Sequence, residues 1–373
     1  MASLPPPIAR RSLLAAHPRA RALGALLAGG ALVVAGCTTA VTAASPSPAA
    51  AGTPGFTAPA TPAASSATSP ADAGTALALQ QDFVGVVKDV NPSVVVIETS
   101  RGLGSGIVFD TKGDIVTNAH VTAGSTTFKV TLANGRTLDG TLVGSFAGDD
   151  LAVIHVNATN LPPATFGDSS KLIVGDIVLA IGNPLGLQSS VTEGIVSALG
   201  RTVSEDNGVA LPNAIQTSAP INPGNSGGAL VDLAGNVVGI PTLAATDPQL
   251  GGAATGIGFA IPSNIVTDIA GQIVRDGRVV NSHRAALGVS IADNLYQPGV
   301  VIAAVQAGGP AERSGLAVGD SITSVAGHTV TSADELATVL AALRPGQRVQ
   351  VTITKPDGTS VTRDVTLDEL PGG

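Results

Sequence analysis

After residue 90 the chain reads as short β-branched apolar runs separated by Gly, Asn, Asp and Pro. Pro92 to Glu98, Gly106 to Phe109, Asp114 to Thr117, Phe128 to Leu132, Thr141 to Val143, Leu151 to Val156, Asp176 to Ile181 and Val191 to Ala198 each have the length and composition of a strand. A helix over Leu77 to Asp89 precedes them, and a second over Ile265 to Arg275, with apolar residues three and four apart, closes the region. Many short strands with little helix between them predict a sandwich or barrels, and this length suits two small antiparallel barrels packed together. The cleft between two such barrels is where shared catalytic residues would meet.

Past a hinge over Gly277 to Ser282 the rhythm changes. Strands over Ala286 to Ile291, Val300 to Val305, Asp320 to Val325 and Arg348 to Lys355 alternate with helices over Pro310 to Leu316 and Ser332 to Leu343. Ser332 followed three residues later by Glu335 is a capping-box signature for the last of these helices. The expected organisation is a mostly β chain with folded domains over residues 77–276 and 284–369.

The first 76 residues follow different rules. Arg10, Arg11, Arg19 and Arg21 precede a charge-free apolar run from Ala22 to Gly36, the charged n-region and h-region of an export signal. The run ends Val34-Ala35-Gly36-Cys37, which resembles the lipobox of bacterial lipoproteins and makes Cys37 a lipidation candidate. Two readings stand: a cleaved, lipidated signal over residues 1–37, or an uncleaved anchor from Ala22 to Ala44. Either places the rest of the chain at the extracytoplasmic face of a bacterial cell membrane. Residues 38–76, rich in Ala, Ser, Thr and Pro and uncharged until Asp72, bury too little apolar surface to fold and read as a disordered tether.

Composition then excludes several classes of function. A net charge of -8, with Phe 7, Tyr 1 and Trp 0, leaves neither the basic surface nor the stacking rings that a nucleic-acid partner needs. A single Cys rules out intramolecular disulfides and Cys-based zinc cages, and the five His are scattered. No acidic run has the spacing of a calcium loop, so neither a metal nor another cofactor is expected.

Three places carry chemistry. Thr117-Asn-Ala-His120-Val puts an imidazole at a strand end, Asp149-Asp150-Leu-Ala-Val puts carboxylates at a strand start, and Asn222-Pro-Gly-Asn-Ser226-Gly-Gly puts a hydroxyl in a glycine-rich turn. A serine hydroxyl becomes a competent nucleophile when an imidazole removes its proton, and the imidazole needs a carboxylate on its other nitrogen. Glycines beside the nucleophile let backbone amides converge on a developing oxyanion. Spacing alone does not choose between Asp149 and Asp150. His155 reads as a strand residue facing solvent or a barrel wall, Asp168 and Asp232 as turn residues, and His283 and His328 as solvated loop residues.

Taken together, Gly104-Ser-Gly106-Ile-Val-Phe, Thr117-Asn-Ala-His120-Val, Asp150-Leu-Ala-Val, Ile181-Gly-Asn-Pro-Leu-Gly186, Val191-Thr-Glu-Gly-Ile-Val-Ser197, Gln216-Thr-Ser-Ala-Pro-Ile-Asn-Pro-Gly-Asn-Ser-Gly-Gly228 and Gly256-Ile-Gly-Phe-Ala-Ile-Pro262 resemble the HtrA (DegP-like) serine proteases in order and spacing. The resemblance implies a chymotrypsin/trypsin-like double β-barrel, with His120 as general base, Asp150 as its orienting partner, Ser226 as nucleophile, and the Gly224 and Ser226 amides as the oxyanion hole. Residues 284–369 resemble a PDZ domain through Gly309-Pro-Ala-Glu-Arg-Ser-Gly-Leu-Ala-Val-Gly-Asp320, with Leu287, Gly288 and Val289 matching its carboxylate-binding loop. Such a domain takes a C-terminal peptide as an added strand.

The chain departs from the family's pattern at Pro220, where a small residue such as Ala is usual, and at Pro241, where Asn is common. A proline donates no backbone N–H, so either position bears on substrate register. Ile221, Leu243 and Ala244 are the candidate lining of an uncharged specificity pocket. The resemblance implies an endopeptidase acting on unfolded, misfolded or membrane-associated envelope proteins, and a trimer built through the N-terminal edge of the protease domain, near Phe83. Two alternatives are a peptide-binding, chaperone-like module on a mostly resting protease scaffold, and a regulatory protease that clips one membrane-bound substrate.

Overall fold

A computed structural model of the chain describes residues 70–372 apart from 101, 183–189, 205–209, 223, 248–251 and 294–298, with the backbone alone described at 70–73, 204, 243–247, 252–255 and 293. Cys37, the signal and most of the tether lie outside the described residues.

The first described element is helix α1, Pro70–Val90, which begins seven residues before the Leu77 start predicted from sequence. Proline suits a helix's opening residue because its missing N–H has no intrahelical partner there. Val86 and Val90 bury one stripe of α1, while Leu77, Leu79 and Val84 stay exposed. Among the described residues no helix is long and apolar enough to cross a membrane.

Strands β1 (Val94–Thr99), β2 (Gly102–Val108), β3 (Asp114–Thr117), β4 (Thr127–Thr131), β5 (Thr137–Phe146) and β6 (Leu151–Val156) close a barrel in the order β1-β2-β3-β6-β5-β4, with a single-turn helix α2 (Ala119–Thr122) between β3 and β4. A second barrel, in the order β10-β11-β12-β9-β8-β7, is formed by β7 (Ile177–Gly182), β8 (Ser190–Ser204), β9 (Ala210–Thr217), β10 (Ala229–Val231), β11 (Val237–Asp247) and β12 (Gly252–Pro262). Closure removes the free edges that an antiparallel sheet would otherwise expose. β11 and β12 escape a period-2 reading because Pro241 sits inside β11 and Gly252, Gly256 and Gly258 inside β12. Gly258 is required there: a Cβ at that position would run into the Ile221 side chain.

Each barrel has its own interior, but the largest apolar cluster lies between them. Val94, Ile107, Val116, Phe146 and Leu151 of the first barrel pack with Leu179, Ile181, Val231, Ile240 and Ile261 of the second. Helix α3 (Ser263–Asp276) adds Val266, Ile269 and Ile273, all about fully buried. Burying such a side chain contributes roughly 1.5–3 kcal/mol, so α3 is a strut that fixes the angle of the cleft. Gly277, with φ 70°, ends α3, and Gln272 then ties down the predicted hinge by accepting from the Val280 and Asn281 amides at 2.9 and 2.8 Å.

The C-terminal domain is a sheet of β14 (Val289–Asp293), β15 (Val300–Val305), β16 (Ser321–Val325), β18 (Arg348–Thr354) and β19 (Ser360–Thr366), in that order, with β17 (His328–Thr329) beside β16. A two-residue strand β13 (Ala285–Ala286) pairs with β20 (Asp368–Glu369), and helices α4 (Pro310–Arg313) and α5 (Ala333–Ala341) complete the unit. Ser332 caps α5 by accepting from the Glu335 amide at 3.2 Å, as predicted, but the Glu335 carboxylate reaches one residue further back, to the Thr331 amide at 2.7 Å. β14 is an edge strand with β15 as its one neighbour in the sheet order.

Candidate active site

β3 ends at Thr117 and the chain turns through Asn118 into α2, which sets His120 at the cleft with its side chain 39 % exposed. On the facing loop, Ala147–Asp149 form a 3-10 turn and Asp150 follows with φ 50° and ψ 44°. A residue with a Cβ rarely takes this left-handed conformation, and three bonds hold it. The Asp150 amide donates to the Ala147 carbonyl at 3.2 Å, while its own carbonyl accepts from the Ala119 amide at 3.0 Å and from Asn118 Nδ2 at 3.1 Å.

That backbone aims the carboxylate at the imidazole. His120 Nδ1 lies 2.8 Å from Asp150 Oδ2, and the His120 amide donates to Oδ1 at 2.9 Å. Thr242 on β11 donates its hydroxyl to the same Oδ2 at 2.6 Å. The Asp150 side chain is 2 % exposed, so these donors stand in for the water it lacks. Asp149 turns the other way, to Arg284, whose Nη1 is 2.6 Å from its Oδ1. Burial pushes the Asp149 carboxyl above the usual carboxylate range, and Arg284 opposes that shift.

Ser226 stands on the turn between β9 and β10. Two tight bonds shape the turn, Asn225 N–H to Asn222 O at 3.0 Å and Gly228 N–H to Asn225 O at 2.9 Å, with Gly224 and Gly227 at φ 104° and 81°. Both barrels bolt it in place: the Ser105 amide donates to Ser226 O at 2.9 Å, Ser105 Oγ donates to Gly224 O at 2.5 Å, and the Gly227 amide donates to Pro241 O at 3.1 Å. The Ser226 hydroxyl donates to the Thr242 carbonyl at 3.0 Å in this conformation. Among the described residues no partner takes the Gly224 or Ser226 amide.

Thr242 thus meets Asp150 through its hydroxyl and Ser226 through its carbonyl, and Ser105 holds the Ser226 turn. Neither role was read from the sequence. Ser105 lies inside a recognised motif without a chemical label, and a lone Thr after Pro241 in an apolar strand gives no signal at all.

Of the pocket candidates, Ile221 is 6 % exposed and packs in the second barrel's core with Ala219 and Ala260. The backbone of Leu243 and Ala244 pairs with Phe259 and Gly258 of β12, and their side chains lie outside the described residues. β10 pairs with β11 only at Gly239 and Val237, so past Pro241 the β11 edge on that side has no strand partner among the described residues. Pro241 sits at a register shift in this stretch, where its missing N–H interrupts the ladder least. Pro220 is exposed, and its carbonyl accepts from Thr192 Oγ1 at 2.8 Å.

His155 pairs its Nδ1 with Asp114 Oδ1 at 2.8 Å across β6 and β3. Asp168 caps a 3-10 turn, and hydrogen bonds, first from Ser170 and then from Asn264, hold its carboxyl well below the usual range. Asp232 accepts from the Ala234 and Asn236 amides in its turn, and His283 lies 3.3 Å from Asp268.

In the C-terminal domain Leu287, Gly288 and Val289 form the turn that leads into edge strand β14. Gly288 has φ 68°, its carbonyl accepts from the Gln306 amide at 2.9 Å, and the Leu287 carbonyl accepts from the Ala311 amide at 3.0 Å. Val289 and Ile291 of β14 and Val339 and Leu340 of α5 are half-buried around Leu287 and Leu336, which outlines an apolar groove between strand and helix.

The Trypsin-like peptidase domain family matches residues 104–240, and the PDZ domain family matches residues 285–367. Serine endoprotease DegS of Escherichia coli K12 is 40 % identical over 279 residues, which cover 73 % of this chain and 78 % of DegS. The chain belongs to the HtrA family of serine endoproteases. As an HtrA chain it is a serine endopeptidase of trypsin-like fold carrying a PDZ domain. A probable periplasmic serine endoprotease, DegP-like, of Halomonas elongata is 42 % identical over 284 residues, and the match spans 74 % of this chain but 58 % of that protein's length. Among solved structures, the HtrA-type protease AlgW with a tripeptide superposes with a TM-score of 0.55 at 36 % identity, covering 78 % of this chain and 97 % of AlgW.

Proposed function

We infer that this HtrA chain is an exported endoprotease of envelope proteins in which His120, Asp150 and Ser226 act as the triad. The observation that carries the reading is the buried Asp150 carboxylate, 2.8 Å from His120 Nδ1 and held by Thr242. With the Nδ1–H of His120 donated to the Asp150 carboxylate, Nε2 is the base that takes the Ser226 proton as Oγ attacks the scissile carbonyl. The hydroxyl leaves Thr242 O for the imidazole by rotation about its own χ1. The Gly224 and Ser226 amides receive the oxyanion, and each such donor stabilises the transition state by about 2.7–4 kcal/mol. His120 then protonates the leaving amine, and water, activated by the same imidazole, releases the acyl group.

Substrate adds as a strand to the open β11 edge past Pro241, with Ile221, Leu243 and Ala244 favouring a small or medium apolar side chain before the scissile bond. The PDZ groove takes a C-terminal peptide on β14, its carboxylate on the Leu287, Gly288 and Val289 amides. The N-terminal segment holds the body at the extracytoplasmic face of the membrane, through a lipid on Cys37 or an uncleaved anchor. Exposed Leu77, Leu79 and Val84 on α1, with Phe83 half-buried beside them, support a homotrimer formed through this edge. Light scattering on residues 70–373 reads that directly, and a monomer at micromolar concentration removes the trimer.

The decisive experiment is degradation of casein by residues 70–373, alongside Ser226→Ala, with and without a peptide ending in a hydrophobic residue. Cleavage lost in Ser226→Ala and raised by the peptide supports both site assignments. Equal cleavage by Ser226→Ala rejects the triad. No cleavage by either chain favours the peptide-binding module on a resting scaffold.

A further inference from the structure

Behind the Asp150 carboxylate, three segments far apart in sequence meet on one turn. The turn is Ala147–Asp149, which delivers the chain into the left-handed Asp150. Leu370, from the end of the PDZ domain, packs against the inter-barrel core that contains Phe146. A Cβ on Gly148 would stand 2.9 Å from Leu370 Cδ2 and 2.6 Å from Phe146 Cζ, so the two side chains together occupy the glycine's Cβ face.

Leu370 is itself anchored. Its amide donates to Arg284 O at 2.6 Å, its carbonyl accepts from Ser282 Oγ at 2.8 Å, and the preceding Asp368 and Glu369 pair with Ala286 and Ala285. From the same strand start, Arg284 sends its guanidinium into the turn. Nη1 donates to Gly148 O at 2.9 Å and to Asp149 Oδ1 at 2.6 Å, and Nη2 donates to Ala210 O at 2.5 Å, at the head of β9. The Arg284 and Asp149 side chains are 13 % and 5 % exposed. Thus the turn's glycine face, a carbonyl and an acidic side chain are all engaged by the C-terminal domain, one residue before the catalytic carboxylate.

We propose that Leu370 and Arg284 are positioning residues for catalysis, which pin the Ala147–Asp149 turn and thereby fix Asp150 against His120. The proposal rests on Asp150 as the triad carboxylate. It makes the PDZ domain's terminal segment a working part of the protease site as well as a peptide reader. A domain reader needs contacts only at its own groove, whereas these contacts end on the triad's turn. Misplacing a reacting group by about 1 Å costs on the order of a hundredfold in rate, so a loosened turn has a kinetic signature.

The test uses the full chain in detergent, with Leu370→Ala, Leu370→Met, Arg284→Met and Ser226→Ala. Turnover is measured on a peptide too short to reach the PDZ groove, and the low-field proton resonance of the His120 Nδ1–H bond to Asp150 is followed by NMR, in the active chain and in the Ser226→Ala background. Leu370→Ala and Arg284→Met are expected to lower kcat by about 10- to 100-fold with KM little changed, and to broaden or abolish the resonance. Leu370→Met, which refills the glycine's Cβ face, restores both. An unchanged kcat and an unchanged resonance, with only a lower unfolding temperature, overturn the proposal. The parent reading fails separately: a Ser226→Ala chain that still cleaves rejects the triad, while the resonance still reports on the turn.

Discussion

Thr242 donates its hydroxyl to Asp150 Oδ2, the oxygen that faces His120 Nδ1, at 2.6 Å. A carboxylate that accepts from both has no freedom to rotate, so the imidazole is held in one tautomer. A hydrogen bond to a charged group is worth about 1.5–3 kcal/mol. Thr242→Val, which keeps the shape and removes the donor, should lower kcat by about tenfold or more, and Thr242→Ser should retain most of it. Steady-state kinetics on a peptide substrate decides; a Thr242→Val chain with native kcat shows that the bond is idle.

Gly227 has φ 81°, and a Cβ there would collide with Ser105 O and Thr117 Oγ1. Gly175 has φ 105° but open space around the missing Cβ. Both alanine variants carry the left-handed penalty of about 1–2 kcal/mol. Only Gly227→Ala adds overpacking of about 1–3 kcal/mol and pushes the nucleophile turn off β2. Thermal unfolding should therefore rank Gly227→Ala well below Gly175→Ala, and only the former should lose activity. Equal melting temperatures would show that the turn relaxes.

Burial raises the Asp149 carboxyl pKa, with Arg284 opposing. A raised carboxyl pKa means that the folded chain binds this proton more readily than the unfolded one. The group's contribution is therefore present below the ordinary carboxyl pKa and is lost as pH rises through the raised value. Arg284→Met removes the opposition, so the pKa climbs further and the uncompensated carboxylate costs about 3–5 kcal/mol at neutral pH. In urea titrations the gap between Arg284→Met and the parent chain should narrow as the solution is acidified through the raised pKa. The lost bonds to Gly148 O and Ala210 O leave a residue of the gap that pH does not remove. A gap that widens in acid contradicts this account.

Ser332→Ala removes the cap of α5 and should cost about 1 kcal/mol. Because α5 walls the PDZ groove, anisotropy of a labelled peptide ending in a hydrophobic residue should show weaker binding. Cleavage of a short peptide, confined to the barrels, should not change. Native peptide affinity in the variant would mean that α5 takes no part in the groove.

Much of this was legible in the sequence. His120, Asp150 and Ser226 lie in motifs whose order alone points to the double barrel, and β1 through β8 follow β-branched runs. β11 and β12 were not individually legible, because Gly258 there makes room for the Ile221 side chain, Gly256 takes a positive φ and Pro241 sits at a register shift, none of which follows strand propensity. The capping box at Ser332 was read correctly at its hydroxyl, and its Glu335 arm takes both the amide and the hydroxyl of Thr331.

By itself the sequence determined the two-barrel and PDZ organisation and the serine-protease family, because periodicity, turn residues and short motifs are local properties of the chain. The motif before Leu-Ala-Val already pointed to Asp150 rather than Asp149, while the tertiary structure alone decided that Thr242 meets Asp150, that Ser105 holds the Ser226 turn, and that Arg284 and Leu370 cross from one domain to hold the other's turn. Those relations join residues 92 to 222 positions apart or depend on one left-handed backbone angle, and no local pattern encodes contacts that only closure of both barrels and docking of α3 bring within bonding distance.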